Sequence, residues 1–124
     1  ETVAPWTLNA ASGAGAVVST LDDMIKYTQH VMAEVKNDTA LARTLFTPYT
    51  NMSACCEQAL GWILLKDKKG KTYAWHNGMT GGFSAFMGFY LDGSRAIVML
   101  NNQVSSFDNK AHALLANEID LTQI

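Results

Sequence analysis

Cysteine, proline, histidine and charge are all scarce in this sequence, and each shortage removes a class of function. Charged residues make up 16% of the chain and the formal net charge is −2, so there is no electrostatic footprint for nucleic acid or an anionic membrane surface. No apolar run approaches the roughly 18 residues of a membrane span. The first six residues lack a basic segment followed by an apolar one, so no signal peptide is expected there, although a processed precursor or an excised fragment would look the same. His30, His76 and His112 pair with no other ligand at metal spacing, and no glycine-rich phosphate loop opens a helix, so no metal or other cofactor is expected. No serine occupies a Gly-x-Ser-x-Gly elbow, and none has a lysine three residues on. One Tyr-x-Asn triplet occurs, Tyr49-Thr50-Asn51, and a turn after Pro48 explains it equally well.

The two cysteines, Cys55 and Cys56, are neighbours. A trans peptide holds adjacent Cα atoms about 3.8 Å apart, below the usual disulfide window, so a bridge between them would be strained. Two thiols without a second pair do not make a zinc site. Free thiols are expected, with a redox role as the alternative, and they do not fix the compartment.

What is present reads as a single small domain, 48% hydrophobic, with a modest core. Residues 1–18, with Ala10-Ala11-Ser12-Gly13-Ala14-Gly15-Ala16, read as a loop passing close to other backbone, or as a linker. Ser19 or Thr20 then caps a helix over residues 20–35, with Asp22 and Asp23 in its first turn. Its buried stripe is Leu21, Met24, Ile25, Thr28, Val31, Met32 and Val35, and His30 falls off it. Asp38 or Thr39 caps a short helix through Phe46, which Pro48 stops. Residues 49–59 look irregular. Strands follow at residues 60–66, 71–76, 83–91 and 95–101, with turns at Asp67-Lys68-Lys69-Gly70 and Asp92-Gly93, the latter a two-residue hairpin signal. Ala96-Ile97-Val98-Met99-Leu100 is nearly all apolar, which suggests cover on both faces. Asp108 or Asn109 caps a last helix to about Ile119, burying Ala111, Leu114, Leu115 and Ile119 and leaving His112 solvated. The whole is α+β, a four-stranded antiparallel meander covered by helices.

The stretch that organises the chain is Trp75-His76-Asn77-Gly78-Met79-Thr80-Gly81-Gly82-Phe83. Strand interiors disfavour glycine, so three glycines here mark a tight connection between two strands or the close approach of a ligand. Together with Phe86-Met87-Gly88-Phe89 and the run from Ala96 to Asn102, this stretch resembles the C-terminal part of the serine β-lactamase-like family. That family holds class C β-lactamases, D-Ala-D-Ala carboxypeptidases (penicillin-binding proteins) and related esterases. Gly15-Ala16-Val17-Val18-Ser19-Thr20-Leu21-Asp22-Asp23-Met24 resembles the family's segment at the start of an upstream helix, and Leu60-Gly61-Trp62 its intervening strand. The three landmarks fall in the family's order over residues 13–102.

The resemblance implies roles. His76-Asn77-Gly78 would be the family's third motif, on a strand lining the cleft. The backbone N–H of Met79 would be an oxyanion donor. His76 would assist by charge or by hydrogen bonding, Asn77 would hydrogen-bond substrate, and Gly78 would leave room for it. The family's first motif, Ser-x-x-Lys, is missing, so nothing here forms an acyl-enzyme. Tyr49-Thr50-Asn51 follows the capped helix where the family's Tyr-x-Asn precedes it. The expectation is therefore the C-terminal portion of a longer serine hydrolase of a periplasmic, cell-envelope or secreted kind. Such a part would act with its missing N-terminal portion on a β-lactam, D-amino peptide or ester, or self-associate through residues 95–101. The alternatives are a non-catalytic member of the same fold that binds a peptidoglycan-like ligand or a protein, and an unrelated helix-covered sheet.

Overall fold

A computed structural model describes residues 2–124; Glu1, the first residue of the stretch read as an N-terminal loop, lies outside the described residues. That stretch does not stay a loop. Asn9–Ala11 form a turn of 3₁₀ helix leading into α1 (Ser12–Gly15), a single α-turn. A Cβ on Gly13 would meet nothing within 4 Å, and one on Gly15 would make only ordinary contacts, with the side chains of Leu8 and Thr80. Close approach to backbone is therefore not what these glycines serve.

Helix α2 (Leu21–Lys36) starts where expected. Thr20 is extended and its hydroxyl oxygen accepts the N–H of Asp23 at 3.2 Å, a cap that contributes about 1 kcal/mol. Thr28 and Val31 are buried, and the Thr28 hydroxyl is satisfied by donating to the carbonyl of Met24. Leu21 and Ile25, expected on the buried stripe, are exposed instead. Nothing among the described residues covers the start of this helix. His30 is exposed, as its off-stripe position implied. The Thr39 hydroxyl caps α3 (Ala40–Phe46), accepting from the Ala42 N–H and donating to Glu34.

Six strands, not four, form one antiparallel sheet in strict sequence order: β1 (Thr50–Asn51), β2 (Cys56–Gln58), β3 (Ile63–Lys66), β4 (Thr72–Thr80), β5 (Phe83–Tyr90) and β6 (Ala96–Asn101). The segment read as irregular supplies β1 and β2, which are too short to show a period of two. Two connections also differ from the reading. Strand β4 continues four residues beyond His76, so the turn shrinks to Gly81-Gly82. Between β5 and β6 the loop spans residues 91–94, closed by the Tyr90 N–H on the Arg95 carbonyl, rather than Asp92-Gly93 alone.

Helices pack on both faces. On one, α2 and α3 bury Val31, Ala42 and Phe46 against Trp62, Leu64, Ala74 and Phe89. The rings of Phe46, Trp62 and Phe89 form a triangle with centroids 5.3–5.5 Å apart, each pair contributing about 0.5–1.5 kcal/mol beyond area burial. On the other face lies α4 (Asp108–Leu115), whose Leu115 packs with Tyr73 and Tyr90. This helix ends before the expected Ile119, and its N-cap is Phe107, with no side-chain cap from Asp108 or Asn109. Both α2 and α4 touch β6, but residues 96–99 are only half-buried because β6 is the last strand of the sheet.

His112 corrects the sequence reading most sharply. It is half-buried rather than solvated on an outer face; its ring lies edge-on to Trp75 at 4.4 Å and to Phe86 at 5.0 Å, with Nδ1 3.1 Å from the Tyr73 hydroxyl. The helical wheel assigned it to the outer side because it counted only aliphatic neighbours, whereas α4 rests on a broad aromatic floor. Burial lowers the His112 pKa, opposed by the nearby Asp108 carboxylate. The unfolded chain therefore takes up this proton first. The stability contributed here is complete above the ordinary histidine value of 6.5 and is lost as pH falls from there through the depressed folded value. Urea unfolding between about pH 8 and about pH 5 should show that loss, and His112→Phe should flatten it. An unchanged slope in the variant would exclude His112 as the group responsible.

Candidate active-site strand

The register of β4 decides what the glycine-rich stretch can do. Strand β3 pairs with β4 only from Lys66↔Thr72 to Ile63↔Trp75, whereas β5 pairs with it all the way to Thr80↔Phe83. From His76 onward β4 therefore has one neighbour and one open edge. The Thr72 carbonyl accepts the Leu91 N–H, so the peptide groups of even-numbered residues face β5. The Lys71 carbonyl accepts the Asp67 N–H on the opposite side, so odd-numbered residues face β3. Beyond the end of β3, the N–H and C=O groups of Asn77 and Met79 thus face the side on which no strand pairs with β4.

Side chains alternate the other way, across the two faces. His76 and Gly78 share the face of Ala74, on the α2 side. Asn77 and Met79 share the face of Tyr73 and Trp75, on the α4 side. His76, Asn77, Gly78 and Met79 are all exposed. His76 Nδ1 lies 2.6 Å from the Asn77 carbonyl oxygen. A carbonyl only accepts, so Nδ1 carries the proton and Nε2 is the nitrogen left facing outward. Asn77 Nδ2 donates to Asp108 Oδ2 at 2.7 Å, which ties the strand to the first turn of α4. No sequence signal announced this pair, whose members stand 31 residues apart.

The three glycines have three different reasons. A Cβ on Gly78 would meet nothing within 4 Å, so the protein's own packing does not demand glycine there. A Cβ on Gly81 would lie 2.7 Å from the Trp6 indole, which closes over the turn. Gly82 has φ +84°, which L side chains rarely adopt. The tight-turn reading thus holds for Gly81 and Gly82, and not for Gly78.

A Beta-lactamase family model matches residues 1–121. The chain belongs to the beta-lactamase family. No match is found among curated proteins or among solved structures. Membership accounts for a serine hydrolase-like fold, an α+β arrangement with an antiparallel sheet and helices. Of the other features the sequence singled out in this beta-lactamase-family chain, Tyr49-Thr50-Asn51 lies at the far edge of the sheet, with β2 and β3 between it and β4. Two surface clefts, of about 230 and 180 Å³, are lined by residues other than 76–79. Among the described residues no group of three or more His, Cys, Asp or Glu side chains is placed to hold a metal ion, and no helix is long and apolar enough to cross a membrane.

Proposed function

We propose that this chain is one wall of the active-site cleft of a serine hydrolase that works through an acyl-serine on a β-lactam, a D-amino peptide or an ester. The open edge of β4 beyond Ile63 carries the reading. An exposed, pre-oriented backbone N–H is what a carbonyl needs as it becomes an oxyanion, and Met79 offers one. His76, with Nε2 outward, positions or polarises groups beside it. Gly78 keeps that face clear for substrate. Asn77 spends its amide nitrogen on Asp108 and keeps its amide oxygen for a ligand. The acylated serine and its lysine come from a portion outside residues 1–124, and that portion also covers the free edge of β6. In its absence, β6 pairs with a second copy.

A fluorescent penicillin or fluorophosphonate tests this. The chain of residues 1–124 alone should stay unlabelled, and the complete protein should be labelled at one serine outside these residues. Stoichiometric labelling of a serine within 1–124 would sink the proposal. A complete protein that binds substrate and resists labelling would favour the non-catalytic member.

A further inference from the structure

Cys55 and Cys56 serve no step proposed for the β4 strand. Along a regular strand, neighbouring side chains point to opposite faces, which would hold two adjacent sulfurs apart. Here the chain reverses between β1 and β2. The N–H groups of Met52 and Ser53 both meet the Cys56 carbonyl, and the Cys56 N–H returns to the Ser53 carbonyl. This tight reversal turns both sulfurs to one side. The two Sγ atoms lie in contact on that side, and both thiols are free.

Ser53 completes the arrangement. Its Oγ accepts the Cys55 N–H at 3.3 Å and lies 3.1 Å from the Cys55 sulfur. Across the second contact either the hydroxyl or the thiol can donate. Hydrogen bonds from Cys56 and then Ser53 lower the Cys55 pKa, and burial raises that of Cys56. One sulfur is thus the readier nucleophile and the other follows. Both open onto the cleft of about 180 Å³, whose lining also includes Asn51, Ser53, Glu57 and Lys66. A tetrahedral metal would want three or four protein donors, and only two are at hand. A three-coordinate soft centre that brings one substituent of its own needs just two.

We propose that Cys55 and Cys56 form a dithiol site for a soft, thiophilic, trivalent centre, of which an organic arsenical is the type. In the step, each sulfur forms a bond to arsenic and each displaces one hydroxide from R–As(OH)₂. The two thiol protons leave with the hydroxides as two waters. Arsenic stays trivalent, so no oxidant or reductant enters. The organic group lies in the cleft beside the two sulfurs. Holding both sulfurs on one side makes the second bond intramolecular, which should strengthen binding by on the order of a hundredfold over a single thiol.

Phenylarsine oxide added to the freshly reduced chain tests this, read by intact mass and thermal unfolding. One phenylarsenic adduct per chain should form, persist in excess glutathione and dissolve in a competing small dithiol. Cys55→Ser and Cys56→Ser should each abolish the glutathione-resistant adduct while unfolding at the wild-type temperature. The adduct should also raise the unfolding midpoint, because a site built by the folded hairpin binds the folded state in preference. An adduct that glutathione removes, one that survives in either single variant, or one that leaves the midpoint unchanged or lower would overturn the proposal.

Discussion

Met79→Pro in the complete protein is expected to lower turnover by about a hundredfold to a thousandfold while leaving the fold intact. Proline deletes one backbone N–H and little else at an extended position. The Met79 N–H faces the open edge of β4, so no ladder bond is lost with it. Gly78, the residue before it, is already extended, as a pre-proline residue prefers. Met79→Ala keeps the N–H and should keep most of the rate, which separates backbone from side chain. Thr80→Pro is the opposite control, because its N–H belongs to the ladder with β5 and its loss should destabilise the hairpin. His76→Ala should lower turnover by about tenfold to a thousandfold with little change in stability. A fully active, folded Met79→Pro enzyme would remove this edge from the chemistry. A Met79→Pro chain that fails to fold would contradict the edge geometry itself.

The chain of residues 1–124 by itself is expected to associate through β6. The Arg95 carbonyl accepts the Tyr90 N–H, so Ile97, Met99 and Asn101 turn their peptide groups toward β5. Ala96, Val98 and Leu100 then offer theirs outward, along a segment with no charge beyond Arg95 at one end. Natural sheets rarely leave such a row unguarded, because it templates pairing with another strand. An antiparallel pair of β6 strands would satisfy both copies at once. Hydrogen exchange reads this residue by residue. The amides of Ala96, Val98 and Leu100 should exchange slowly in concentrated solution and faster on dilution, while those of Ile97 and Met99 stay protected throughout. Val98→Pro should yield a monomer. A wild-type monomer at micromolar concentration with three fast outward amides would contradict the association.

The parts that were legible in the sequence are those whose stabilisation is local or periodic. Helices α2 and α3 announced themselves by Thr20, Thr39 and a stripe of period 3.6, and β3, β5 and β6 by apolar runs between turn residues. Strands β1 and β2 left no trace, because two and three residues carry no alternation; β1 is held by pairing with β2, and β2 by pairing with β3. Strand β4 was cut short at His76 because Asn77 and Gly78 have poor strand propensity. The long ladder with β5 overrides that propensity. The site was half legible. The family resemblance singled out residues 76–79, but which of them face the open edge follows from where β3 ends, and that is a matter of register. The partnership of Asn77 with Asp108 and the aromatic bed under His112 depend on how α4 docks, which no local pattern encodes.

Because every strand pairs with the one before it, the sheet is a chain of hairpins. The connecting loops are short, so little chain entropy is lost in closing each one before its contacts form. Such a sheet can zip up strand by strand, needing no distant segment until α2 and α4 settle on its faces. Growth in that order leaves β6 as the last strand to form, with its outer edge still able to accept a neighbour. The association expected through β6 would then follow folding rather than drive it, with each finished sheet the template for the next.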